Sequence, residues 1–190
     1  MHQELFCNLN ITDYPLIHQD LPIKTRVMNT TVDEVSKSIH DLLFGIGIKV
    51  DSPGWLYCSP EYITHNCHID GDFYNHNSNW TSLCKLNYVI GGPNVTTCWY
   101  DVPDNVHTSA KKNFTSTGFP YWVFKISDCN LIESQIMSGW HLFDAGVPHN
   151  IVNHKSEQRW NLTIILKDIE TGEWLTFVEV KHRMSLIGLC

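Results

Sequence analysis

The chain has 190 residues, of which 43% are hydrophobic, 17% charged and 12% aromatic, a balance that supports one packed domain and excludes a mainly disordered chain. A formal net charge of -7, with no basic run to reverse it locally, argues against nucleic acid as the main partner. No stretch approaches the roughly 18 apolar residues of a membrane span, and "MHQELFCNLNITDYPL" carries neither the basic leader nor the apolar core of a secretory signal.

The seven cysteines (Cys7, Cys58, Cys67, Cys84, Cys98, Cys129, Cys190) include no C-x-x-C. An odd number without a signal points to reduced thiols and a cytoplasmic protein. On that reading the N-x-S/T contexts at Asn10, Asn29, Asn79, Asn94, Asn113 and Asn161 are chance occurrences in an Asn- and Thr-rich chain.

In chain order, residues 1–50 read as a flanking segment with one helix over about 31–45. Thr31 and Glu34 form a capping-box pattern, Gly45 a stop, and Val32, Val35, Ile39, Leu42 and Leu43 one apolar stripe that packs on a sheet. From there the pattern predicts strands over 62–70, 83–90, 95–102, 121–127, 131–137, 140–144, 149–153, 159–167 and 173–181. Gly91-Gly92-Pro93-Asn94 reads as a hairpin connection, Ala145-Gly146-Val147-Pro148 as a further turn, and 103–120, with Lys111 and Lys112, as a rim loop. Many short strands and one clear helix indicate a mainly β chain, an antiparallel sandwich or jelly roll, with its core over 55–181.

The segment "CHIDGDFYNHN" places His68 and Asp70 two apart. On a strand that spacing aims both side chains from one face and turns Cys67 away. An imidazole and a carboxylate converging on one point suit a metal ion, provided a third ligand exists. Most other histidines have ordinary readings as loop, surface or partly buried residues. His149 stands apart by its surroundings, "WHLFDAGVPHNIVNHKSEQRWNLTIIL", in which a turn delivers it and another leads to Arg159. On the strand that Arg159 opens, Arg159, Asn161, Thr163 and Ile165 face one way, while Trp160, Leu162, Ile164 and Leu166 face the other. Such a strand is apolar on one side and lines a polar cavity with the other.

H-x-D at His68 and Asp70, a distant His149 and an arginine ten residues later together resemble the Fe(II)/2-oxoglutarate-dependent oxygenase superfamily. "LFDAGVPHNIVNHKSEQRWNLTI" is similar to the distal part of that family. "LNYVIGGPNVTTCWYDV" looks like the central hairpin of its aspartyl/asparaginyl hydroxylase-like and small phage-type members. The resemblance covers about residues 55 to 167 and implies a double-stranded β-helix (a cupin-like jelly roll), which the segment before it flanks with one or a few N-terminal helices. It implies Fe(II) held by His68, Asp70 and His149, with open positions for 2-oxoglutarate and O2, and release of succinate and CO2 as an unidentified peptide or small molecule is hydroxylated.

In such a site Arg159 meets the far carboxylate of the cosubstrate in a planar, two-pronged fashion. Asn161 stands where the family often has serine or threonine, and Thr163 follows on the same face. Asn87, Trp99 and Tyr62 are candidates for further cosubstrate contacts, against the ordinary reading of a strand aromatic as core. Asp72, Tyr74 and Trp80, just beyond the metal pair, are candidates on the substrate side. Two other classes stay open: a cupin-like metalloprotein in which Arg159 binds a substrate anion directly, and a non-catalytic β-sandwich binding module.

Overall fold

A computed structural model describes residues 4–15, 27–29, 35–58, 66–71, 83–103, 106, 110–115, 118–153 and 157–190. Its strands are β1 Phe6–Asn8, β2 Val27–Asn29, β3 Ile48–Cys58, β4 Cys67–Asp70, β5 Cys84–Gly91, β6 Val95–Asp101, β7 Lys111–Phe114, β8 Pro120–Phe124, β9 Asn130–Ile136, β10 Gly139–Asp144, β11 His149–Asn153 and β12 Arg159–Asp168. Among the described residues, α1 Lys37–Gly45 and α2 Phe177–Ser185 accompany them. The strands form two antiparallel six-stranded sheets with the orders β1-β10-β5-β12-β3-β2 and β7-β8-β4-β11-β6-β9.

The outer face of the first sheet is apolar because every second residue of its strands is. Leu86, Tyr88, Trp140, Leu142, Leu162 and Ile164 are buried there against Ile39 and Leu43 of α1 and Phe177, Val180 and Met184 of α2. The opposite face looks toward the second sheet, and contacts that cross the gap fix this orientation. Lys85 of β5 pairs with Asp70 of β4, and Phe143 of β10 packs edge-on against His149 of β11. The outer face of the second sheet carries a separate apolar cluster of Cys67, Ile69, Cys98, Tyr100, Phe124 and Val152. Cys67 therefore points away from His68, as its place on a strand requires.

Several expectations are corrected. Residues 173–181 do not form a strand: Trp174 makes one isolated bridge to Lys167, and the chain then enters α2. Thr176 caps that helix in a complete capping box with Glu179, and "TFVE" outweighs the β-branched residues around it. Helix α1 starts at Lys37 with Ser36 as N-cap, so Val35 lies outside it; Thr31 and Glu34 fall outside the described residues. The sheets also begin earlier than residue 55, since β1 pairs with β10 and β3 starts at Ile48. Residues 111–114 are an edge strand on β8 rather than rim loop.

Gly91-Gly92-Pro93-Asn94 is not a hairpin turn, because β5 and β6 belong to different sheets. Residues 145–148 form a turn as expected, and it too carries the chain between sheets, from β10 to β11. Both connections change sheets, a path that a turn signal in the sequence does not distinguish from a hairpin. Gly91 and Gly92 have φ of 73° and 63° and lie against the start of β12. A Cβ on Gly91 would sit 2.6 Å from the Gln158 carbonyl oxygen, and one on Gly92 2.9 Å from Arg159 Cβ.

Among the described residues no helix is long and apolar enough to cross a membrane, and no disulfide joins their cysteines. The packing and capping can be checked by urea unfolding. Leu162→Ala, in the buried outer layer of the first sheet, is expected to lose about 2–5 kcal/mol, and Thr176→Ala about 1 kcal/mol.

Candidate metal centre

Strand geometry alone presents His68 and Asp70 on the inner face of β4; sheet pairing brings the third group. His149 stands directly opposite His68 in the β4–β11 pair, and their rings lie 4.3 Å apart between centroids. His68 Nε2 is 3.7 Å from Asp70 Oδ1, and His149 Nε2 is 3.5 Å from Asp70 Oδ2. One ligand atom from each of the three residues lies within 4.8 Å of the others.

The turn before His149 explains its placement. Asp144 Oδ1 accepts the Gly146 N–H at 3.1 Å, an Asx-type turn, and Pro148 stiffens the approach. The Asp70 N–H donates to the Ala145 carbonyl at 3.1 Å, which ties this turn to the end of β4. Burial pushes the Asp144 carboxyl up to about 6.

The hydrogen bonds of both imidazoles decide which nitrogen faces the centre. His68 Nδ1 lies 3.0 Å from the Asn66 carbonyl and His149 Nδ1 2.8 Å from the Val147 carbonyl. A carbonyl only accepts, so each Nδ1 carries a proton, and Nε2 is the ring nitrogen turned toward Asp70. Burial, and then the neighbouring His149, lower His68 to about 4, which leaves it neutral at pH 7. For Asp70, burial alone would raise the pKa. The Lys85 ammonium outweighs that and holds the carboxyl well below the usual carboxylate range. The Nε2 atoms of two imidazoles and a carboxylate thus converge on one small volume. That donor set fits a divalent transition-metal cation, and the anchored Nδ1 positions fix the ring orientations.

Lys85 was not singled out by the motif. Its Nζ lies 2.7 Å from Asp70 Oδ2, each side chain 11% exposed, and 5.4 Å from the centroid of the Phe119 ring. The signal was present in "LCKLNYVI", because Lys85 shares the parity of Asn87 on β5.

Behind this centre the first sheet presents a polar column. Asn87 pairs with Thr163 on one side and His141 on the other, Asn161 lies one step further along β12, and Arg159 heads that strand at 3% exposure. Asn87 Oδ1 and Asn161 Oδ1 are buried with no hydrogen-bond partner among the described residues. The start of β12 is braced by Glu157, which accepts from the Asn94 N–H at 2.7 Å and is held by Asn153 through its backbone. His141, one of the histidines given an ordinary reading in the sequence, is buried, and its Nδ1 lies 3.2 Å from the Gly139 carbonyl. Burial first, and then the Arg159 charge, lower it to about 3.

Trp99 stands opposite His149 on β6, stacked on Phe6 with ring centroids 5.6 Å apart and tilted against Phe143. It belongs to a buried apolar cluster with Val89 and Met137 that closes the space beside His149. Tyr62, Asp72, Tyr74 and Trp80 lie outside the described residues.

His141 yields a pH test. Its folded pKa lies below the unfolded value, so its contribution is present above pH 6.5 and is lost as pH falls from 6.5 toward 3. Asp144, with its folded value raised from 3.8 to about 6, acts in the opposite sense between those values. Urea unfolding between pH 4 and 7 is expected to show His141→Gln removing about 1.4 kcal/mol per pH unit from the slope of stability against pH.

No protein-family model matches this sequence, and no curated protein matches it.

Proposed function

We propose that this protein is an Fe(II)- and 2-oxoglutarate-dependent oxygenase on a double-stranded β-helix, hydroxylating a peptidyl side chain or a small molecule. The observation that carries the reading is the convergence of His68, Asp70 and His149, with both histidines turned so that Nε2 faces the carboxylate. The strand order supports the fold assignment. From β3 to β6 and again from β9 to β12, successive strands alternate between the sheets, giving β10-β5-β12-β3 facing β4-β11-β6-β9.

His68, Asp70 and His149 would hold the metal on one face and leave the other open. Iron bound there, with 2-oxoglutarate and O2, supplies oxidative decarboxylation to succinate and CO2 coupled to hydroxylation of a C–H bond. The chain's own residues bind, orient and exclude water. Arg159 receives the far carboxylate of the cosubstrate as a fixed, always protonated fork. The Asn161 amide and the Thr163 hydroxyl, on the same inward face, donate hydrogen bonds along the way, and Asn87 adds a donor from the adjacent strand. His141 stays neutral beside them and completes the wall. Trp99, Phe143 and Phe6 keep water from the flank of His149.

One observation favours a second reading. The Lys85–Asp70 pair neutralises the carboxylate without a metal, as a binding module with no catalytic role would require. Metal analysis separates the two. His68→Ala, Asp70→Ala and His149→Ala are each expected to stay folded and lose iron; full occupancy in all three would reject the oxygenase. Anaerobic Fe(II) protein should develop a weak visible charge-transfer band on adding 2-oxoglutarate. Arg159→Ala should keep the metal and need about 100-fold more 2-oxoglutarate to develop that band. An unchanged requirement would point to a metalloprotein that does not use this cosubstrate.

A further inference from the structure

Lys85 is a costly residue to place where it is. An ammonium is strongly hydrated, and here it is nearly withdrawn from water between two sheets, its charge facing a carboxylate and an aromatic ring. Beside a divalent cation a lysine is also repulsive, so a site built only for metal affinity would leave it out. Its contacts suggest what it does instead. The two oxygens of Asp70 are differentiated: Oδ2 is 2.7 Å from Lys85 Nζ and 3.5 Å from His149 Nε2, while Oδ1 faces His68 Nε2 at 3.7 Å. Lys85 itself is fixed by register, since its Cα partners are Phe143 on β10 and Ile165 on β12. The ammonium therefore reaches Asp70 from the opposite sheet, on a rigid central strand.

We propose that Lys85 is a positioning residue of the metal centre: by occupying one oxygen of Asp70 it makes the carboxylate ligate through the other oxygen alone, which preserves the open positions of the ion. This role rests on the metal reading given above. Without Lys85, both carboxylate oxygens are free to chelate, and the ion gains affinity while losing a position that a chelating cosubstrate needs. A lysine serving only as a strut between the sheets has the opposite signature, because its removal loosens the centre and weakens metal binding.

The test loads the full chain with Co(II), whose visible d–d bands report coordination number, and compares wild type with Lys85→Met, Lys85→Gln and Lys85→Arg. The expected result is that Met and Gln variants bind Co(II) about tenfold more tightly, because a repelling charge is gone. Their d–d bands should change, and their spectral response to 2-oxoglutarate should weaken. Lys85→Arg should keep the wild-type affinity and bands. Wild-type bands in the Met and Gln variants, weakened cobalt binding, or loss of the fold in both would overturn the positioning role while leaving the metal reading standing. A wild-type chain that takes up no cobalt would overturn the metal reading, and this role with it.

Discussion

The carboxylate of Asp70 is where the two sheets meet electrostatically, and the arrangement of the interior depends on it. It reaches Lys85 on the facing sheet and both imidazoles on its own, while its backbone N–H holds the turn that delivers His149. A buried carboxylate survives only with such partners, since burial by itself would drive it neutral. The Lys85 ammonium keeps it ionised, and an ionised carboxylate beside two imidazole Nε2 atoms is a donor set that fits a divalent transition-metal cation.

The apolar and polar layers follow from strand alternation. One face of the first sheet is committed to the helices, so its large aliphatic side chains sit under α1 and α2. The other face is released for polar work and carries Lys85, Asn87, Thr163, Asn161 and Arg159 without weakening the core behind it. The aromatic group around Trp99 seals one side of this interior. Anchoring is local as well: His68 and His149 are each oriented by a carbonyl two residues back on the same chain, so ring direction does not depend on a distant partner.

Glycines shape the far end. The turn between β5 and β6 passes so close to β12 that a side chain at Gly91 would strike the Gln158 carbonyl, and the positive φ there admits glycine at little cost. Together with the Glu157 brace, this close approach sets where Arg159 begins its strand. An arginine so placed acts on its surroundings through its charge, as His141 shows.

From the sequence alone came the β-rich class, the shared face of His68 and Asp70, the outward turn of Cys67 and the two-sided character of β12. All of these depend on the backbone period of a single segment, which the residues of that segment report directly. The carboxy-terminal helix was equally legible in Thr176 and Glu179, but the β-branched residues of 173–181 suggested a strand. Which sheet each strand joins, that the glycine turn changes sheets, and that Lys85 faces Asp70 were decided by the tertiary structure. These are contacts between residues far apart in the chain, set by the path of the turns and by packing, and no local period encodes them.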